Sequence, residues 1–198
     1  MTTVLTFPLP YSFLETLLVA PGVLDLEKLC LVPGKYCWQL SVDVVALRVE
    51  GNLHDAMSVA AVVALGDVAL PRITVSGEGG AGDDEVEMEV TDDPNECDRL
   101  DASNVPVAVT VVRVGPHLVV DPSPAEEACA DAQLVVAVSR KAAVVAMQQA
   151  GAGGMPPKGM AEAIRVAQAT AANLFKRIDA QLRSAALRET STVPIFLR

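Results

Sequence analysis

The sequence predicts an α/β chain, α+β-like, in which helices pack on sheets. Of its 198 residues 51% are hydrophobic and only 4% aromatic. The core must therefore be built from Val, Ala and Leu, which suit closely packed helix-on-sheet layers. Period-two segments separated by turn residues give the strands, and one long stripe of period 3.6 gives a helix. The length suffices for one compact domain with a substantial core, and so few aromatics argue against a stacking platform for RNA.

Taken in order, Ser12 and Glu15 have capping-box spacing, and the apolar run Phe13 to Val19 predicts a short helix stopped near Pro21 and Gly22. Pro33 and Gly34 mark a turn. Trp38 to Val49 alternates between two faces that are both mostly apolar in its second half, which predicts a strand covered on both sides there. Gly51, Asn52, Leu53, His54 and Asp55 lead into a helix over 55–65 that is apolar nearly all round, hence buried, with Asn52 or Asp55 able to cap it. Pro71 to Val75 is a short strand, followed by an acidic loop over 76–101. Val105 to Val114 and His117 to Asp121 form a hairpin turning at Gly115 and Pro116, and 132–139 with 143–148 form a second around Arg140 and Lys141. Beyond the breakers Gly151, Gly153, Gly154, Pro156 and Pro157, a helix runs from about Met160 to Arg188. Its stripe is Ile164, Ala167, Ala171, Leu174, Ile178, Leu182 and Ala185. Residues 189–198 are a tail.

The net charge of -10 is local, because residues 83–101 hold most of the excess acid and the remainder is near neutral. A solvated loop is the simplest reading of that segment, and no EF-hand spacing supports calcium. Cys30, Cys37, Cys97 and Cys129 form no CxxC pair, and His54 and His117 stand at no zinc-motif distance from them, so reduced thiols are expected. The apolar first thirty residues lack a basic n-region and are broken by Pro8 and Pro10, and no apolar run reaches membrane-spanning length. A soluble protein with no membrane partner is expected.

Chemistry would concentrate at two places. Backbone N–H groups at the start of the helix after Gly51 would favour phosphate, with a guanidinium to complete the site. The residues supplied are Asn52, Leu53, His54 and Asp55, of which Leu53 brings no charge and Asp55 repels an anion. A metal-assisted phosphoryl reaction would need two converging carboxylates, and Glu127 has only the neutral amide of Gln133 six residues on. Asp121 and Glu126 could substitute, but Pro122 and Pro124 predict a rigid loop whose acids serve turns and caps. Neither histidine supports a Ser/His/Asp arrangement, and the 151–154 glycines lack the Lys and Ser/Thr of a P-loop and read as a linker. Arg165, Lys176, Arg177, Arg183 and Arg188 decorate the last helix as a solvated face.

The segments LDLEKLCLVPGKYCW (24–38), VDVVAL (42–47), EGNLHDA (50–56), DDP (92–94), NVPVAVT (104–110) and VVDPSPAEEAC (119–129), in that order, resemble the RNase PH-like ring subunits of the RNA exosome, of the noncatalytic component 7 type. The resemblance implies an RNase PH-like fold of mixed sheets packed with helices over 11–188. It implies a partial domain, since family members begin with several further strands, roughly a third of a common domain size. It also implies a noncatalytic structural subunit of a hetero-hexameric ring that supports 3'-5' RNA processing and degradation, including rRNA maturation. The partners implied are other RNase PH-like subunits, cap subunits with RNA-binding domains, and RNA through the assembled complex; the compartments are nucleus, nucleolus and cytoplasm. Active members place a phosphate-binding Thr-Arg pair where this chain has Asn52 and Leu53, and two metal-holding Asp where it has Glu127 and Gln133. Both departures remove charge from the reaction centre, so no catalytic, cofactor-binding or metal residue and no cofactor is expected. The alternatives are an active phosphate-dependent 3'-5' exoribonuclease using Glu127 and Asp121, and a truncated isoform that joins no ring. Arg140, Lys141 and the basic residues of the last helix are candidates for RNA contact by charge alone.

Overall fold

The structure, a computed structural model, describes residues 12–76, 87–91, 93, 96–151 and 153–191. Helix α1 (Ser12–Val19) leads into a small hairpin, β1 (Cys30–Val32) and β2 (Tyr36–Cys37). The proposed capping box falls on Ser12, whose side chain lies outside the described residues. Helix α2 (Leu53–Asp67) is followed by β3 (Ala69–Pro71), β4 (Ile73–Ser76), β5 (Glu87–Val90) and β6 (Cys97–Arg99). These form two short antiparallel pairs, β3 with β6 and β4 with β5. The acidic segment predicted as a loop therefore holds two strands, alternate positions being filled by Met88 and Val90 between acids; its residues 77–86 lie outside the described residues.

The main sheet is built by the two predicted hairpins. Strands β7 (Val107–Val114) and β8 (His117–Val120) turn at Gly115, whose φ is 58°, and β9 (Ala132–Val138) and β10 (Val144–Ala150) turn through Ala142 at φ 59°. The order is β10-β9-β7-β8, and each pair is antiparallel. Val107 to Val112 and Leu134 to Val138 are buried almost to the last atom, so β7 and β9 form the centre of the core. Short α3 (Pro124–Ala128) connects the hairpins.

Helix α4 (Pro157–Ser191) lies on β7 and β9 through Ala163, Ala167, Ala171, Phe175 and Ile178. Three alanines with no exposed area let the helix axis come close to the sheet. The buried seam is turned slightly from the predicted stripe: Phe175 enters it and Leu182 is exposed.

Helix α2 packs beside β7, burying Met57, Ser58, Ala61, Val62 and Leu65. It is half-buried rather than enclosed, because Ala56, Ala60 and Ala64 present little apolar area and face outward without great cost. β8 reaches only Val111 to Val114 of β7, which leaves the edge N–H groups of Ala108 and Thr110 without a strand. Helix α2 supplies acceptors instead, Ser58 Oγ at 2.8 Å from the Ala108 nitrogen and Asp55 Oδ2 at 3.0 Å from that of Thr110. The spacing of three puts both side chains on one helical face.

One predicted strand is absent. Residues 39–50 form no strand, and Val45, Leu47 and Val49 are exposed by 78%, 95% and 58%. Alternation gives a segment its two faces, but a strand also needs a neighbour to take its backbone hydrogen bonds, and no described strand pairs with it.

Candidate functional site

Two turns that the sequence separates by about seventy residues meet at the start of α2. Gly51 and Asn52 both adopt positive φ, 91° and 45°, which turns the chain sharply into the helix. A Cβ on Gly51 would lie 2.7 Å from the Pro122 carbonyl oxygen, so the turn fits against the 121–124 loop only as glycine. Asp121, itself at φ 55°, precedes that loop. Ser123 then caps α3 in a reciprocal capping box with Glu126, whose carboxyl is held below its ordinary range by the backbone and hydroxyl of Ser123. Glu126 is thus a capping acid, as expected of this loop.

Asn52 is the hub. Its backbone N–H donates to Glu127 Oε1 at 2.8 Å, and its Nδ2 donates both to Asp121 Oδ1 at 2.8 Å and to Asp55 Oδ2 at 3.0 Å. Two carboxylates accepting from one amide nitrogen fix which way the amide points. The Asn52 Oδ1 is consequently turned inward, buried and without a partner. Asn52 occupies the N-cap position, yet its side chain makes no capping bond to the helix. Asp55 accepts from Thr110 Oγ1 at 2.7 Å as well as from the Thr110 N–H. Burial pushes the Asp55 carboxyl above its ordinary range, the bonds from Thr110 and Asn52 oppose that shift, and the nearby Asp121 charge adds to it.

These contacts decide what the site can do. Three carboxylates surround the amide where an anion would have to approach, and Asn52 offers its N–H to Glu127 rather than outward. Leu53 and His54 continue into α2, with the His54 ring edge-on to Phe13 at 6.0 Å between centroids. Gln133 sits inside the sheet, paired with Val112 and Ala150. Among the described residues no group of three or more His, Cys, Asp or Glu is placed to hold a metal ion. A neutral Gln133 and a Glu127 committed to a backbone N–H do not fit a hard divalent cation, which needs several free oxygen ligands.

Beside the hub a cleft of about 660 Å³ runs between α2 and α4, floored by Ala56, Val59 and Val109 and walled by Leu174. Arg177 is the one basic residue on its lining among the described residues. Arg140, a candidate for RNA contact by charge, is instead engaged with α4: its guanidinium is 2.9 Å from Asp179 and lies 4.6 Å from the centre of the Phe175 ring. The 151–154 glycines are more than a linker, because a Cβ on Gly153 would collide with the Asp131 carbonyl oxygen.

Sequence reasoning found Asn52, Asp55, Asp121 and Glu127 but not that they form one cluster, and it missed Thr110 and Ser58. Only the Gly51-Asn52 pair, a familiar signal for consecutive positive φ, pointed to the turn itself.

Residues 104–170 match the 3' exoribonuclease family, domain 2, a span running from the entry to β7 through the first half of α4. The chain is 34% identical over 154 residues to a Dictyostelium discoideum protein whose name makes it an exosome complex exonuclease of the RRP42 type, aligning 77% of this chain with 46% of that protein. It is 35% identical over 161 residues to the exosome complex component Rrp42 of Methanopyrus kandleri, aligning 81% with 56%. The chain thus spans about half the length of these relatives. Its fold superposes on a chain of an archaeal exosome core with a TM-score of 0.67 at 25% identity, covering 89% of this chain and 68% of that one.

Proposed function

We propose that this chain, similar to the Rrp42 exosome components, serves as an RNase PH-like structural subunit of an exosome ring and performs no phosphorolysis itself. The observation that carries the reading is the Asn52 hub: its side-chain amide is held by Asp55 and Asp121 and its backbone N–H by Glu127, while the uncharged Leu53 follows where the resemblance implies the arginine that an active relative turns to phosphate. The partners are other RNase PH-like subunits in a hexameric ring with cap subunits, and RNA is met through the assembly. Processing and degradation of RNA from the 3' end, rRNA included, in nucleus, nucleolus and cytoplasm, is the role this implies.

The exonuclease name of the Dictyostelium relative favours a second reading, an active enzyme in which Glu127 and Asp121 hold a metal. That would require both to leave Asn52, since Glu127 binds its N–H and Asp121 its Nδ2. Purified protein incubated with RNA, magnesium and phosphate separates the two. No nucleoside diphosphate is expected, together with co-purification of RNase PH-like subunits; sustained phosphate-dependent release would overturn the structural reading.

A further inference from the structure

None of the four cysteines is in a disulfide among the described residues, and two of them face each other. Cys30 on β1 is the register partner of Cys37 on β2. The Trp38 N–H donates to the Leu29 carbonyl oxygen at 2.7 Å, so the bond lies just outside the cysteine pair, between the residue after Cys37 and the residue before Cys30. That pattern marks a non-hydrogen-bonded antiparallel position, where opposed Cα atoms lie about 4.5 Å apart and the two side chains share a face. Disulfides span Cα separations of about 4.4 to 6.8 Å, so the hairpin already holds the two thiols within bridging range. Neither other cysteine is so placed: Cys97 pairs across its ladder with Pro71, and Cys129 follows α3.

We propose that Cys30 and Cys37 form a cross-strand dithiol that small-molecule disulfides of the glutathione type convert reversibly to a disulfide. Cys37 is exposed and Cys30 partly buried, which assigns their order of reaction. The Cys37 thiolate attacks one sulfur of oxidised glutathione, forming a mixed disulfide and expelling one glutathione thiolate. The Cys30 thiolate then attacks the Cys37 sulfur and expels the second. Two protein thiols are oxidised, one oxidised glutathione is reduced to two glutathiones, and the two thiol protons pass to them. Because the hairpin has closed the loop beforehand, the second step outcompetes reaction with another chain.

Trypsin reads the result directly, since cleavage after Lys28, Lys35 and Arg48 leaves Cys30 on peptide 29–35 and Cys37 on peptide 36–48. The full chain is incubated with oxidised glutathione, alkylated and digested without reductant. The expected product is these two peptides joined, two hydrogens lighter than their sum, formed at a rate independent of protein concentration and released by dithiothreitol. Cys97→Ser and Cys129→Ser should leave it intact, whereas Cys30→Ser should stop the reaction at a glutathione adduct on Cys37. Emission of Trp38, the sole tryptophan and the neighbour of Cys37, reports whether each variant retains the wild-type hairpin environment. The proposal is overturned by a stable glutathione adduct on wild-type Cys37, by linkage of Cys37 to Cys97, Cys129 or a second copy, or by no reaction.

Discussion

At Asp55 a carboxylate takes the place of a strand. It accepts the N–H of Thr110 on an edge that β8 does not reach, and it takes the Thr110 hydroxyl too. Asp55→Ala would leave both groups buried and unsatisfied, at a cost of about 2 to 3 kcal/mol in urea unfolding. Burial raises its carboxyl above the ordinary value, so the folded chain holds this proton more tightly than the unfolded one. Its contribution to stability is complete below the ordinary carboxyl value and is lost as pH rises through the raised one. Asp55→Asn should flatten the dependence of the urea midpoint on pH across that window; an unchanged slope would show that Asp55 titrates alike in both states. Gly51→Ala combines a φ of 91° with a Cβ 2.7 Å from the Pro122 oxygen, and about 2 kcal/mol of lost stability is expected. A loss below about 0.5 kcal/mol would mean that the 121–124 loop gives way. None of these partnerships was legible in the sequence, because Asn52 meets Asp121 and Glu127, and Asp55 meets Thr110, across long separations. The residue types were visible and their meeting was not.

Elements were legible wherever the pattern and its punctuation agreed. Both hairpins, α1 and α4 follow from alternation or helical spacing bounded by Gly and Pro, and each needs only near neighbours to form. Trp38 to Val49 carries the same alternation and forms no strand, since pairing depends on another strand and the pattern does not name one. Short β5 and β6 were hidden by their acids. On α4 the alanine seam is the sensitive feature: Ala167→Leu adds volume where the helix lies closest to the sheet, and a cost of about 1 to 3 kcal/mol is expected. A thermal midpoint equal to that of the wild type would show that α4 is free to move outward.

At the scale of the whole molecule, the exposed run of Val45, Leu47 and Val49 is the principal liability. Apolar residues alternating along an unpaired backbone are a template for association. Leu47→Lys should shift the isolated chain toward monomer on size exclusion while leaving its thermal midpoint unchanged. An elution profile like that of the wild type would place the association elsewhere. The connectivity of the main sheet also has a kinetic meaning. β7 with β8 and β9 with β10 are joined by tight turns, and β7 meets β9 across β8 and α3, residues 115–131, so this sheet closes through loops much shorter than the stretch that separates Asn52 from Asp121. The hub at Asn52, by contrast, must wait for segments far apart in the chain to find each other. The sheet should therefore acquire amide protection first during refolding and the start of α2 later, an order that pulse-labelled hydrogen exchange would reveal and that simultaneous protection would contradict.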